Sequence, residues 1–177
     1  MKKRIWIIVA AAILVVALSV GVTVAFLVSS STTIENTFTA GKVNITLTET
    51  TGSKYKLLPG TALHKDPRVK VLAGSEDCWV FVKVQKSADF DAFCTYEMAD
   101  GWVALGSEEG VYYRQVKKSS ADTDLSVLKN DIITVRDTVT EEQLGGLTQN
   151  PNLSFTAYAV QMDGVPTVNA AWKIIEP

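Results

Sequence analysis

The chain predicts an all-β fold, an antiparallel sandwich with short helical insertions, preceded by an N-terminal signal or transmembrane helix. Three observations carry the prediction. From Phe38 onward, apolar and polar residues alternate with period two in short runs. Turn residues cut these runs at Pro59-Gly60, Gly74-Ser75, Asp100-Gly101, Asn150-Pro151 and Asp163-Gly164. One run, Cys78–Val84, is largely apolar on both faces, so it needs layers packed on either side.

The N-terminal segment reads differently. Lys2, Lys3 and Arg4 precede an uncharged apolar run from Ile5 to Val28, and small residues at Thr23 and Ala25 stand at the −3 and −1 positions before Phe26. That is the layout of a secretory signal peptide cut between Ala25 and Phe26. An uncleaved anchor is the alternative, because residues 5–28 as a helix reach about 36 Å, enough for a hydrocarbon core of about 30 Å. In either case the basic cluster stays inside and the rest of the chain is placed outside the cell, secreted, in the matrix or at the cell surface. The expected organisation is a signal over residues 1–25, a flexible arm over 26–35 and one β domain over 36–177.

Within that domain, Val43, Ile45 and Leu47 alternate with Asn44, Thr46 and Thr48, a strand with one wet face. Pro67 to Ala73 alternates Val69 and Val71 with Arg68 and Lys70. Cys78, Val80, Val82 and Val84 share one side of the next strand; on the other, Trp79 is expected to be covered and Lys83 open. A helix is expected over about Asp89–Met98, with Phe90, Phe93, Cys94 and Glu97 at i, i+3, i+4 and i+7. Strands follow at Trp102–Leu105, Val111–Val116 and Ile132–Asp137. A second short helix starts at Thr140, where Gln143 stands at capping-box spacing, and stops at Gly145-Gly146. The last strands are expected at Leu153–Met162 and Ala171–Ile175.

Cleavage would leave 152 of the 177 residues, one core's worth of chain, with 14 basic residues against 19 acidic ones. A surface with a net charge near −5 is a poor partner for nucleic acid or anionic lipid. Membrane contact is expected only through residues 5–28, and only without cleavage. Cys78 and Cys94 are the two cysteines of a chain bound for an oxidising compartment. A disulfide between them would close a loop worth about 3 kcal/mol in the chain-entropy account; two buried, separately packed thiols are the alternative.

Catalytic apparatus is sparse. A hydrolytic zinc normally takes three protein ligands, and this chain has one histidine, His64, and no HExxH helix. The same shortage leaves a serine or cysteine nucleophile without its usual base. Asp89 with Asp91 and Glu108 with Glu109 are carboxylate pairs whose expected roles are at a helix start and in a turn. Asp122 and Asp124, flanked by Ser119 and Ser120, form the best loop for calcium. Trp102, Tyr112, Tyr113 and Trp172 are either core aromatics or the lining of a glycan groove. No catalytic residue, metal or cofactor is therefore assigned.

Five segments occur in a familiar order: Asn36-Thr-Phe-Thr-Ala-Gly-Lys-Val-Asn-Ile-Thr-Leu-Thr-Glu49, Leu58-Pro-Gly60, Lys65-Asp-Pro67, Cys78-Trp-Val-Phe-Val-Lys-Val84, and Ala157-Tyr-Ala-Val-Gln161 with Ala171-Trp172. Together with the leader they resemble the TasA/camelysin family, exported proteins of Gram-positive bacteria whose signals are cut by a dedicated SipW-type signal peptidase. The resemblance implies a jelly-roll domain and, in the matrix-protein branch, biofilm fibres built by donor-strand exchange. Asp89 to Gly146 is the region least like the fibre-forming prototype. The implied partners are further copies of the chain in a head-to-tail polymer, other matrix proteins and the signal peptidase. The donor would be the arm, with Phe26, Val28 and Ile34 on one side of an extended strand. Camelysin-like members are described as metallo-endopeptidases, so a secreted or membrane-attached peptidase is the rival expectation, and a monomeric surface binding module is the third.

Overall fold

The computed structural model describes residues 38–40, 42–51, 56–147, 149 and 151–176. The apolar run 5–28, the Ala25/Phe26 junction and the arm carrying Phe26, Val28 and Ile34 lie outside the described residues. No helix among the described residues is long and apolar enough to cross a membrane.

Among the described residues sheet pairing is antiparallel, except at one edge. The longest pair, β5 (Cys78–Lys86) with β11 (Leu153–Gln161), is in register over nine residues, from Cys78 opposite Gln161 to Lys86 opposite Leu153. On its other side β5 pairs with β8 (Val111–Val116), which in turn pairs with the two-residue β7 (Val103–Ala104). At the far edge β1 (Phe38–Ala40) runs parallel to β11, opposite Tyr158–Val160. The resulting order is β1-β11-β5-β8-β7. Two three-stranded sheets accompany it. One is β2 (Ile45–Thr48), β4 (Arg68–Val71) and β9 (Thr123–Ser126), ordered β2-β4-β9; the other is β3 (Ala62–His64), β10 (Leu128–Val135) and β6 (Cys94–Met98), ordered β3-β10-β6.

All three sheets share one core. Val80, Val82 and Ala159 from the large sheet, Val69 and Ile45 from the second and Val135 and Leu128 from the third are all buried in it. The two faces of β5 alternate as predicted, Cys78, Val80, Val82 and Val84 entering this core and Trp79 and Phe81 buried on the opposite face, while Lys83, expected to be open, is half-buried. Trp79 donates its indole N–H to the Val165 carbonyl at 3.1 Å. The tight approach of the β7–β8 connection to β5 requires Gly110. Its φ is +74°, and a Cβ there would meet the Val84 carbonyl oxygen at 2.6 Å.

Three short helices are present among the described residues: α1 (Phe90–Phe93), α2 (Glu141–Gly145) and α3 (Val168–Ile175). At α2 the predicted capping box forms, Gln143 N donating to Thr140 Oγ1 at 3.2 Å and Thr140 N to Gln143 Oε1 at 2.9 Å. The other two correct the sequence reading. The helix expected over Asp89–Met98 stops after one turn, and Cys94–Met98 becomes β6, because the edge of β10 offers Cys94, Thr95 and Tyr96 partners at Val135, Thr134 and Ile133. The strand expected at Ala171–Ile175 is the body of α3. Thr167 caps it by accepting from Ala170 N at 3.3 Å, and Ala171 and Trp172 are buried over Phe81 and Tyr158 on the outer face of the large sheet.

A register shift between Leu128 and Ile133 bends β10, with Asn130 and Asp131 at φ of 56° and 55°. Asp131 is fixed there by Ser126 Oγ at 2.6 Å and Arg68 Nη2 at 2.8 Å.

Candidate assembly edge and the buried carboxylate beside it

β11 has unequal edges. Its inner edge is paired with β5 along its whole length, whereas β1 covers the outer edge only at Tyr158, Ala159 and Val160. Over Leu153–Ala157 no strand among the described residues pairs with that outer edge. The stretch is nonetheless rigidly held: Leu153, Phe155 and Ala157 are buried in the shared core, and the Ser87–Asn152 backbone bond at 3.0 Å continues the ladder past its start. A strand edge left without a partner presents backbone donors and acceptors in strand geometry and is a template for another strand.

Phe155 also carries a cation. Lys65 Nζ lies 5.7 Å from the ring centroid and donates to Glu49 Oε1 at 2.6 Å, with both side chains largely buried. The neighbouring residue, Asp66, is a focus of donors. Thr50 N at 3.0 Å, Thr51 N at 2.9 Å and Thr51 Oγ1 at 2.9 Å reach Oδ1, and Thr50 Oγ1 donates to Oδ2. Burial alone would raise the Asp66 carboxyl, but these hydrogen bonds prevail and hold it well below the ordinary value of 3.8. Lys65-Asp66-Pro67 thereby ties the segment leaving β2 to the segment joining β3 and β4. In the sequence the zinc question singles out His64, and nothing there assigns a role to Asp66 two residues on. The available signal was Thr50-Thr51, four short-range donors immediately after a strand, in a chain with an acidic residue directly before a proline.

The other singled-out residues do not converge. His64 is exposed at the end of β3, opposite Ile132. Asp122 and Asp124 straddle Lys70, whose Nζ lies 4.0 and 3.9 Å from their carboxylates, so a lysine ammonium occupies the position considered for calcium. Among the described residues no group of three His, Cys, Asp or Glu side chains is placed to hold a metal ion. Asp91 pairs with Lys86 at 2.6 Å, Asp89 accepts from Ser87 Oγ at 2.6 Å, and Glu108 begins the turn that leads to Gly110. The aromatic set is divided between faces, Trp102 and Tyr112 on the shared core and Tyr113 and Trp172 on the α3 side, so the four do not form one groove. Cys78 and Cys94 are free thiols, both buried in the shared core. Burial, reinforced by the Asp77 carboxylate, pushes the Cys78 thiol up to about 11, and burial raises Cys94 as well, so both are poor nucleophiles.

Comparison of the chain with protein-family models, curated proteins and solved structures finds no match.

Proposed function

We propose that this chain is a non-enzymatic, exported cell-surface or extracellular-matrix subunit of TasA-like character, whose β domain is a jelly roll and which polymerises head to tail by donor-strand exchange. The observation that carries this reading is the outer edge of β11 over Leu153–Ala157, with which no strand among the described residues pairs, next to a β1 whose described residues pair with three of the nine residues of that strand. The signal layout of residues 1–25 and the five ordered segments supply the export and family components. After cleavage between Ala25 and Phe26, the arm is a chain segment without charge up to Ile34, with Phe26, Val28 and Ile34 on one side of an extended strand. Set against Leu153–Ala157 of a neighbour, the arm gains main-chain hydrogen bonds of about 0.5–1.5 kcal/mol each and lays its apolar side toward the core face of β11. Because donor and acceptor are different surfaces, the contact does not close on itself, and repetition gives a filament. While residues 1–25 remain attached, the arm is tethered at the membrane, so cleavage is coupled to assembly.

Deleting Phe26 to Thr33 tests this. The mature protein, whose first residue by N-terminal sequencing is expected to be Phe26, should form filaments by negative-stain microscopy, and the deleted form should be a folded monomer. Equal assembly by both forms overturns donor-strand exchange through this arm.

A further inference from the structure

On a different part of the molecule, a groove of about 270 Å³ opens where the five-stranded sheet meets the β3-β10-β6 sheet. Its lining comes from both sheets and the helix between them: Lys86 at the end of β5, Tyr112 on β8, Asp91 on α1, and Thr95, Tyr96 and Met98 on β6. The floor is anchored from behind. Tyr96, Met98 and Tyr112 pack on the shared core, and Phe90, itself buried, holds the Tyr96 ring edge-on at 6.1 Å. Burial, with the Tyr112 side chain nearby, raises the Tyr96 phenol so that it stays neutral at any physiological pH. On the wall, Lys86 Nζ and the Asp91 carboxylate lie 2.6 Å apart, both open enough to solvent to accept further partners.

We propose that this groove binds one ring of an uncharged polysaccharide. The lining combines two fixed phenols, whose faces suit the apolar C–H face of a pyranose, with a carboxylate and an ammonium side by side, which suit adjacent hydroxyls acting as donor and acceptor. Other ligand classes fit less well. Phosphates and other anions meet Asp91, and the one cation among the lining residues, Lys86, is already paired with it. A metal ion finds a single carboxylate. An apolar ligand finds a polar wall and little enclosed surface. The size also selects, because small-molecule pockets run from about 300 to 1,000 Å³, and a groove just below that range suits one ring of a chain passing across it. The assignment does not depend on polymerisation.

Binding of cellotetraose, maltotetraose and chitotetraose to the full-length chain in mild detergent, followed by saturation-transfer NMR and titration, tests the proposal. At least one of the three should bind with a Kd of about 1 mM or tighter. Asp91→Asn and Tyr112→Ala should each weaken that binding by about tenfold or more, while Lys118→Ala, which removes a pair with Glu76 near the opposite end of β5, leaves it unchanged. Asp91→Asn alters only an exposed ion pair, so its melting temperature should match that of the unaltered protein and its result stands even if Tyr112→Ala fails to fold. Absence of binding by all three sugars, or undiminished binding by Asp91→Asn, overturns the proposal.

Discussion

Val82→Asp should abolish folding. Val82 is fully buried at the centre of β5, between Ala157 of β11 and Tyr112 of β8, with its side chain in the core shared by all three sheets. A carboxylate there leaves water without acquiring a hydrogen-bonding or charged partner. Even after it protonates to avoid the charge, burying the unpaired polar group and losing the valine packing cost several kcal/mol. Domains of this kind hold only about 5–15 kcal/mol in total. Purified Val82→Asp is therefore expected to show no cooperative melt by circular dichroism. Lys83→Asp, one position along and facing the other way on a half-buried site, should change stability by about 0.5–1 kcal/mol. If the two variants melt alike, the assignment of β5 faces is wrong, since shifting a strand by one residue exchanges every side chain between its faces.

The same strand shows how much of the fold was legible in the sequence. Period two in Cys78–Val84, the capping box at Thr140 and the turn glycines are local signals, and each formed as read. Misreadings arose where a local pattern competed with a distant partner. Phe90, Phe93, Cys94 and Glu97 fit a helix, yet β10, more than thirty residues on, pulls Cys94–Met98 into a sheet. At the C-terminus the reverse occurred. Val168, Ala171, Trp172 and Ile175 have helical spacing behind a Thr cap, but the apolar content of Trp172–Ile175 in a β-rich chain favoured a strand. The candidate sites were still less visible. The stretch of β11 edge that no described strand pairs with depends on where the parallel β1 lies, and the groove exists only because β6 is a strand whose residues line it together with Tyr112 of β8. Neither leaves a motif, since no spacing within one segment records which edge stays unpaired or where two sheets meet.

Loss of Asp66, the buried carboxylate outside the central strand, should also cost the fold heavily. Asp66→Ala removes the acceptor for two backbone amides and two hydroxyls, which Thr50 and Thr51 direct at one carboxylate. Thr50 is exposed and Thr51 half-buried, so water recovers part of the loss, and the expected destabilisation is about 2–4 kcal/mol, read from urea unfolding. A sharper signature lies in the pH dependence. The folded-state pKa of Asp66 is depressed below the unfolded value of 3.8. Between the two, the unfolded chain binds the proton and the folded one does not, so stability rises with pH across that window. The contribution is fully present above about pH 4 to 5 and is lost as the pH falls toward the depressed value. Asp66→Asn keeps the size and one acceptor oxygen but cannot titrate. It should melt below the unaltered protein at neutral pH, and the gap should narrow steadily as the pH falls below about 4, because only the carboxylate has stability to lose there. Parallel acid limbs for the two proteins would show that the donors around Asp66 do not hold its proton off, and that Lys65-Asp66-Pro67 ties the two segments together through packing alone.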